Sequence, residues 1–317
     1  MTIKVLVCDG MDPLIFSKLL NNEKFKVFPE KKNTQEVVIK EARDSQALII
    51  RSSTKVNKEF IDQCPDLKLV IRAGEGTDNI DKAYCKEKGI KVQNTPGANN
   101  NSAAEHAIAL MFTLLRKTAW ANSSMQTGQW DKAKFTGNEM TNKTVGIIGF
   151  GRIGQLVAKR LIGFDPEILF YDPFMSSHSI GYDNIKKVDE LEKIFEKSDI
   201  ISVHVPLVNQ TKNLITKEHF SLMLKNSIFI NAARGGIVVE EDLLEALKAK
   251  KFKAAALDVF LNEPLKEKTN LHGIENLVLT PHLGGSTHEA QYRVGEMAYH
   301  QLKEFFLNDQ ILNEVRA

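Results

Sequence analysis

The sequence predicts an α/β fold with two doubly wound parallel sheets, one in each of two domains. Short runs rich in β-branched and aromatic residues alternate with helical patterns over the first hundred residues, and the alternation resumes at residue 144. Strands separated by helices indicate βαβ units and therefore a parallel sheet. The chain has 317 residues, which is enough for two domains that each bury a full core.

The first alternating series predicts strands at Lys4–Cys8, Phe25–Phe28, Ala47–Arg51, Leu67–Ile71 and Lys91–Gln93. Helical patterns separate these strands near residues 13–21, 34–43, 57–63 and 79–88. A polar loop follows at residues 94–101, and we place the first hinge between the two domains in this loop.

A long helix should begin just after that loop. Ser102 and Glu105 stand three residues apart before an apolar run, which is the pattern of a capping box, so the helix is predicted to start near Ala103. The run is apolar nearly all round, which indicates a buried helix.

The second alternating series predicts six strands, at Thr144–Ile148, Ile168–Tyr171, Ile200–His204, Ile228–Asn231, Ala254–Asp258 and Leu277–Thr280. Six strands with intervening helices match a doubly wound dinucleotide-binding fold. A second capping box, from Ser286 to Glu289, then opens a long terminal helix that is predicted to end near Leu307.

Composition and charge exclude several classes of protein. The net charge is +2, and the interspersed Lys and Glu residues give no basic footprint for nucleic acid or anionic membranes. No apolar run approaches the roughly 18 residues of a membrane span, and the N-terminus has no signal-peptide pattern, so we expect a cytoplasmic protein. Cys8, Cys64 and Cys85 are widely spaced and are predicted to be inert thiols, and no His/Cys spacing indicates a metal site.

The segment Gly149–Gly154 has the glycine spacing of a dinucleotide-binding turn. It follows a buried strand directly and opens a helix, whose N-terminus would attract phosphate groups. Gly149 would make the tight turn, Gly151 would let the backbone approach a pyrophosphate, and Gly154 would let the helix pack close to the strand. Asp172 ends the next strand, where it would accept hydrogen bonds from the adenosine ribose and repel a 2′-phosphate. The segment therefore predicts NAD rather than NADP, against the alternative of a glycine turn without a ligand.

Three polar residues follow the last three predicted strands. Arg234, Glu263 and His282 come just after the fourth, fifth and sixth strands of the second series. Because ligands of open α/β sheets bind outside the carboxyl ends of the strands, we expect these side chains to converge on the nicotinamide.

These residue types suit hydride transfer at a carbon that carries a hydroxyl group. His282 would carry the proton near neutral pH, and Glu263 would favour the imidazolium and fix the ring. Arg234 would bind the substrate carboxylate and polarise the neighbouring carbonyl. Each residue alone has an ordinary structural interpretation, but three of them at the correct strand ends favour an active site.

The chain resembles the D-isomer-specific 2-hydroxyacid dehydrogenase family over nearly its whole length. The segments that carry the resemblance are Gly149–Gly154 with Asp172, Asn231–Gly236, Leu257–Pro264 and Pro281–Gly284. Within the family, residues 50–56, 72–79, 130–139 and 282–291 are similar to the branch that oxidises D-3-phosphoglycerate to 3-phosphohydroxypyruvate, the first step of serine biosynthesis.

The resemblance implies a Rossmann-type cofactor domain at residues 99–286 and a flavodoxin-like substrate domain formed by residues 1–98 and 287–317, with the active site in the cleft between them. It implies a homodimer formed through the cofactor domains. It also implies further contacts with NAD for Arg152, Ile153, His204, Pro206, Thr211, Ala232, Ala233, Arg234, Asp258, His282 and Gly284.

On the substrate side, the resemblance implies that Arg51 and Arg72 face the substrate phosphate and that backbone groups of residues 74–76 hold the carboxylate. The other substrate-binding residues it implies are Ser52, Gly74, Glu75, Gly76, Asn99 and Lys134. Of these, Lys134 would reach in from the partner subunit.

Two features depart from that branch. Glu75 stands at a loop position that is usually neutral, and since an inward carboxylate would repel the substrate, we expect its side chain to point to solvent. The sequence ends at Ala317, so we expect a short form without the C-terminal regulatory domain of many relatives.

Two other functions stay open. A glyoxylate/hydroxypyruvate reductase of the same family acts on substrates without a phosphate, so Arg51 and Arg72 would then be surface charges or would pair with Glu75 or Asp78. A non-catalytic NAD-sensing scaffold, as in the transcriptional corepressors of the family, would keep the fold but would turn over no 2-oxo acid.

Overall fold

The computed structural model describes residues 2–29, 34–175, 184–265 and 267–316. The chain divides into two compact units. Residues 1–99 and 285–317 form the first unit, and residues 100–284 form the second.

The first unit is built on a parallel sheet. Its elements are β1 (Ile3–Val7), α1 (Pro13–Leu20), β2 (Phe25–Pro29), α2 (Gln35–Ala42), β3 (Ala47–Ile50), α3 (Lys58–Asp62), β4 (Leu69–Arg72), α4 (Lys82–Glu87), β5 (Lys91–Asn94) and the terminal helix α11 (His288–Leu307). Among the described residues, the sheet has five strands in the order β2-β1-β3-β4-β5, and every pairing is parallel. This is the strand order of flavodoxin-like folds.

Both faces of this sheet are buried, as is usual for parallel sheets. Leu48 and Ile50 of β3 pack into the cluster on one face. Ile49 points the other way, into a cluster that includes Ala298 and Leu302 of α11. The C-terminal helix is therefore part of the core of the first unit.

Helix α11 ends at Leu307, as predicted, but its cap differs from the prediction. Thr287 is the N-cap residue, and its side-chain oxygen accepts a hydrogen bond from the backbone N–H of Ala290 at 3.1 Å. The backbone of Thr287 is extended, which is the usual conformation of an N-cap residue. The prediction of a capping box from Ser286 was therefore wrong by one residue.

The second unit contains a larger parallel sheet. Its elements are α5 (Asn100–Arg116), α6 (Thr118–Gln126), β6 (Thr144–Ile148), α7 (Arg152–Leu161), β7 (Glu167–Tyr171), β8 (Ile185–Lys187), α8 (Glu192–Lys197), β9 (Ile200–Val203), α9 (Lys217–Leu222), β10 (Ile228–Asn231), α10 (Glu240–Lys248), β11 (Ala254–Leu257) and β12 (Leu277–Leu279). Within the described ranges the sheet has seven strands, in the order β12-β11-β10-β9-β6-β7-β8. The order reverses between β6 and β9, which is the switch point where Rossmann-type sheets bind dinucleotides.

Two predictions for the second unit were wrong. The sheet has seven strands rather than six, because β8 pairs in parallel with β7. This strand has three residues, two of which are lysines, so neither its length nor its composition distinguishes it from a loop. Helix α5 begins at Asn100 rather than near Ala103, and Ser102 lies buried inside its first turn instead of capping it.

Cys8, Cys64 and Cys85 are buried, and none of them forms a disulfide within the described part of the chain. Burial raises the pKa of Cys64 and of Cys85 to about 11, so both thiols stay protonated and unreactive near neutral pH. For these two cysteines the prediction of inert thiols is confirmed. In the part of the chain that is described, no helix combines the length and the apolar character that crossing a membrane requires.

Candidate active site

The turn between β6 and α7 has the shape of a phosphate cradle. Gly149 has a φ of +90°, and a Cβ there would lie 2.7 Å from Val205 Cγ1. A Cβ on Gly154 would lie 2.3 Å from the carbonyl oxygen of Gly149, so both positions require glycine. By contrast, a Cβ on Gly151 would meet nothing within 4 Å. The cradle is therefore open at the N-terminus of α7, where helix N–H groups favour anions, and it fits the pyrophosphate of NAD.

Asp172 holds this cradle from the end of β7. Its Oδ2 accepts a hydrogen bond from the N–H of Phe150 at 2.8 Å, and its Oδ1 accepts one from Phe174 at 2.9 Å. The sequence did not predict these backbone contacts. Each carboxylate oxygen can accept a second hydrogen bond, so the arrangement is compatible with ribose binding.

Glu263 and His282 form an acid–base pair. His282 Nδ1 lies 2.6 Å from Glu263 Oε2, while Glu263 Oε1 accepts a hydrogen bond from the N–H of Phe260 at 2.9 Å. Their side chains are 29% and 37% exposed respectively, so the pair is open on one side. The carboxylate fixes the imidazole by its Nδ1, which leaves Nε2 as the nitrogen that can exchange a proton with a substrate.

The loop that carries His282 is fastened to the buried carboxylate of Asp258, which follows β11 and is 0% exposed. Asp258 Oδ1 accepts hydrogen bonds from Thr280 Oγ1 at 2.6 Å and from the N–H of Leu283 at 2.8 Å. Asp258 Oδ2 accepts one from the N–H of Gly284 at 2.8 Å. Asp258, which the sequence predicted as a cofactor contact, thus holds the segment on both sides of His282.

Arg234 lies in the loop after β10. Its Nη1 donates to the carbonyl oxygen of Ala233 at 2.7 Å, and its own carbonyl accepts a hydrogen bond from Asn231 Nδ2 at 3.0 Å. The N–H of Ala233 donates to Asn231 Oδ1 at 3.1 Å, so the Asn231 amide shapes the turn through Ala232. Because β10, β11 and β12 are neighbours in the sheet, the three predicted catalytic residues follow three adjacent strands.

The loop after β9 lies against the glycine-rich turn. The backbone of His204 is within 2.8 Å of the position that a Gly149 Cβ would take. His204 Nε2 lies 2.9 Å from Ser202 Oγ, and burial lowers the pKa of His204 to about 4, so its ring is neutral at physiological pH. Beyond Pro206, the hydroxyl of Thr211 accepts a hydrogen bond from the N–H of Val208 at 2.9 Å and closes the loop.

Arg51 stands directly after β3 in the first unit. Its N–H donates to Asp9 Oδ2 at 2.5 Å, and its carbonyl oxygen accepts a hydrogen bond from Asn79 Nδ2 at 2.7 Å. Its side chain lines a small pocket together with Asp12 and Gln291. The backbone of Arg51 is therefore fixed without using the guanidinium group.

Arg72 ends β4 and packs against the loop that follows. A Cβ on Gly74 would lie 1.5 Å from Arg72 Nη1, so only glycine leaves room for this guanidinium group. Arg72 Nη1 donates to the carbonyl oxygen of Ala73 at 3.1 Å.

The expectation for Glu75 was wrong. Its side chain is half-buried, and its Oε2 accepts a hydrogen bond from the N–H of Gly97 at 2.6 Å. Its carbonyl oxygen accepts another from Asn94 Nδ2 at 2.7 Å. The N–H of Gly97 donates the hydrogen bond that water would donate to an exposed carboxylate. Glu75 therefore connects the loop after β4 to the segment after β5.

The remaining predicted substrate residues have simple surroundings. Ser52 is exposed and Gly76 is half-buried. Asn99 belongs to the first unit, and its Nδ2 lies 3.0 Å from where a Gly285 Cβ would be. Lys134 is exposed in the second unit, with its Nζ 5.8 Å from the ring centroid of Phe135. The binding roles of these residues stay predictions.

Two residues of this site were missed from the sequence, His106 and Thr280. His106 Nε2 lies 3.1 Å from Asp258 Oδ1 and 3.3 Å from Thr280 Oγ1. One signal could have drawn attention to His106, because it is an imidazole directly before the apolar run of α5. A threonine at a strand end carries no comparable signal.

Known proteins provide a comparison for this geometry. The family model for the NAD-binding domain of D-isomer specific 2-hydroxyacid dehydrogenases matches residues 108–284. The hydroxypyruvate reductase of Thermotoga maritima is 42% identical over 294 residues, which are 92% of this chain and 94% of that protein. This chain belongs to the D-isomer specific 2-hydroxyacid dehydrogenase family. The predictions of the family, of the α/β fold class and of an NAD-dependent cofactor domain are confirmed.

Another relative in the family is longer. The D-3-phosphoglycerate dehydrogenase of Methanocaldococcus jannaschii is 40% identical over 282 residues, which are 89% of this chain and 54% of that protein. The chain thus spans about half the length of this curated relative. Among solved structures, the NAD-dependent formate dehydrogenase from Staphylococcus aureus in complex with NAD is 30% identical, with a TM-score of 0.88, and the match covers 100% of this chain and 99% of that chain.

Proposed function

We propose that this 2-hydroxyacid dehydrogenase oxidises D-3-phosphoglycerate to 3-phosphohydroxypyruvate with NAD. The observation that carries a dehydrogenase activity is the His282–Glu263 pair, with 2.6 Å between Nδ1 and Oε2, on loops that follow adjacent strands. The phosphorylated substrate is supported by two arginines at the ends of β3 and β4 and by relatives named D-3-phosphoglycerate dehydrogenase.

The side chains would divide the reaction between them. In the oxidative direction His282 takes the hydroxyl proton through Nε2, and Glu263 stabilises the imidazolium that forms. Arg234 binds the carboxylate next to the reacting carbon and stabilises charge that develops on the C2 oxygen. NAD, when bound in the cradle at Gly151, supplies the acceptor for the hydride that leaves C2.

Arg51 and Arg72 would hold the phosphate. A phosphate group with a charge near −2 requires fixed cations, and the forked guanidinium of arginine suits it better than an ammonium group. Such a substrate would place the protein at the entry to serine biosynthesis.

We also propose a cytoplasmic homodimer that forms through the second unit, with Lys134 supplied by the partner. Light scattering after gel filtration tests whether the protein is a dimer.

A second function has a specific observation in its favour. The relative that matches this chain over 94% of its own length is named hydroxypyruvate reductase. That substrate has no phosphate, so it would leave Arg51 and Arg72 without a role in binding.

One panel of assays separates the two functions. NADH oxidation is measured with phosphohydroxypyruvate, hydroxypyruvate, glyoxylate and pyruvate, each over a range of concentrations. The proposal expects the highest kcat/KM with phosphohydroxypyruvate. A higher value for hydroxypyruvate or glyoxylate would assign the reductase function instead.

A further inference from the structure

The carboxylate of Asp258 is completely buried, which is costly for a charge unless it is well paired. Burial raises the pKa of Asp258, but the hydrogen bonds from His106, Thr280 and the backbone of Leu283 together lower it by more than burial raises it. The pKa of Asp258 therefore lies below its ordinary value. Asp258 is therefore an anion, and because a carboxylate only accepts hydrogen bonds, His106 Nε2 must carry a proton and donate it.

His106 is the partner of Asp258 that comes from outside the active-site loops. Thr280, Leu283 and Gly284 all lie within the segment that Asp258 fastens, whereas His106 belongs to α5. Its side chain is 17% exposed, and its neighbours Ala104 and Ala107 are fully buried in the core of the second unit. The packing of α5 therefore fixes His106, and His106 in turn fixes Asp258 Oδ1 at 3.1 Å.

The segment that Asp258 fastens is under strain at His282. This residue has a φ of +53°, a left-handed conformation that residues other than glycine seldom adopt. The two amides directly after His282 are the ones that donate to Asp258. If the carboxylate moved, this backbone could relax, and the contact between His282 Nδ1 and Glu263 would change with it.

We propose that His106 is a positioning residue for catalysis, which holds the Asp258 carboxylate and through it the conformation of the His282 loop. This inference rests on the proposed dehydrogenase function, but it does not depend on which 2-oxo acid is the substrate. His106 would contact neither substrate nor cofactor. It would set the geometry in which His282 gives or takes the proton.

Two substitutions test this. In His106→Gln the amide nitrogen reaches about the position of the imidazole Nε2 and can still donate to Asp258. In His106→Asn the amide lies near the position of Nδ1 and is too short to reach. A misplacement of about 1 Å can cost up to about a hundredfold in rate, so His106→Asn should lower kcat about 10- to 100-fold, while His106→Gln should recover most of the loss.

The isotope effect separates positioning from a merely structural role. Where product release partly limits the wild type, His106→Asn should show a larger primary isotope effect on kcat with NADH deuterated at the transferred C4 position, because the chemical step becomes slower. A variant that is only less folded would show a lower Tm and a lower apparent kcat, with an unchanged isotope effect and KM. His300→Asn is the matched control, since His300 is also a helical histidine near a carboxylate, 3.8 Å from Glu304, but it lies in the first unit.

All assays use the 2-oxo acid that the wild type reduces best. Equal losses in the Gln and Asn variants would overturn the positioning role and leave the dehydrogenase function in place. A wild type that prefers hydroxypyruvate, with His106→Asn impaired as expected, would overturn only the phosphoglycerate assignment. A wild type that reduces none of the four 2-oxo acids would overturn both.

Discussion

At the scale of single residues, the short contact between His282 and Glu263 is the centre of the proposed chemistry. The 2.6 Å between Nδ1 and Oε2 is a short hydrogen bond, which fixes the orientation of the imidazole ring. General acid–base catalysis contributes about 10²–10⁴-fold, so His282→Ala should lower kcat by a factor in that range. NADH affinity, measured by fluorescence titration, should change little. Glu263→Gln, which keeps an acceptor oxygen but loses the charge, should have a smaller effect, and full activity of His282→Ala would refute the assignment.

His204 predicts how stability depends on pH. Its pKa is lowered by burial to about 4, whereas an unfolded histidine has a pKa of about 6.5, so the unfolded state binds more protons between these values. Stability is therefore lost as the pH falls from about 6.5 to 4, by up to about 3 kcal/mol from this group, since one pKa unit corresponds to about 1.4 kcal/mol. His204→Gln can keep a donor towards Ser202 but does not titrate. As the pH falls from about 6.5 to 4, the Tm of His204→Gln should rise steadily relative to the Tm of the wild type. A difference in Tm that stays constant with pH would mean that His204 is protonated without cost.

At the scale of elements, two of the three glycines in the segment Gly149–Gly154 are expected to have different roles, Gly154 in stability and Gly151 in binding. A Cβ on Gly154 would lie 2.3 Å from a backbone oxygen, so Gly154→Ala forces the turn and helix apart and should destabilise the protein by about 1–3 kcal/mol. A Cβ on Gly151 meets nothing within 4 Å, so Gly151→Ala should cost at most about 1 kcal/mol. The extra methyl group would instead occupy the space that the proposed site leaves for a pyrophosphate.

The two variants should thus separate stability from binding. Thermal melts of the apoprotein should show the larger loss for Gly154→Ala, and NADH titrations of the folded proteins should show the larger loss for Gly151→Ala. Unchanged NADH affinity in Gly151→Ala would mean that the pyrophosphate does not lie at this turn.

The elements also show what the sequence could and could not predict. Strands buried on both faces, such as β6 and β10, are continuous apolar runs between turns, so their positions could be predicted within a residue or two. The start of α5 could not, because Asn100 and Ser102 are polar residues that tertiary packing buries in a helix. Contacts between distant segments, such as His106 with Asp258 or Glu75 with Gly97, depend on which strands and loops become neighbours.

At the scale of the whole molecule, the two units contain different parts of the proposed chemistry. Residues proposed for hydride and proton transfer, such as Arg234 and His282, lie in the second unit, while the arginines proposed for the phosphate lie in the first. Substitutions in the first unit should therefore change the choice of substrate more than the chemical step. Relatives with both names, D-3-phosphoglycerate dehydrogenase and hydroxypyruvate reductase, match about nine tenths of the chain at about 40% identity, so the substrate has to be decided by experiments on the first unit.

Arg51 is the best residue for that experiment. Its backbone is held by Asp9 and Asn79, so removing its side chain leaves those hydrogen bonds in place. A hydrogen bond to a charged group contributes about 1.5–3 kcal/mol, so Arg51→Ala should lower kcat/KM for phosphohydroxypyruvate about 10- to 100-fold. Hydroxypyruvate has no phosphate and should be nearly unaffected. Lys55→Ala removes an exposed cation four residues later and should leave both values unchanged, which controls for the net charge of the loop. Equal losses on both substrates in Arg51→Ala would mean that the arginine has a structural role, and the assignment would then fall back from phosphoglycerate to the family as a whole.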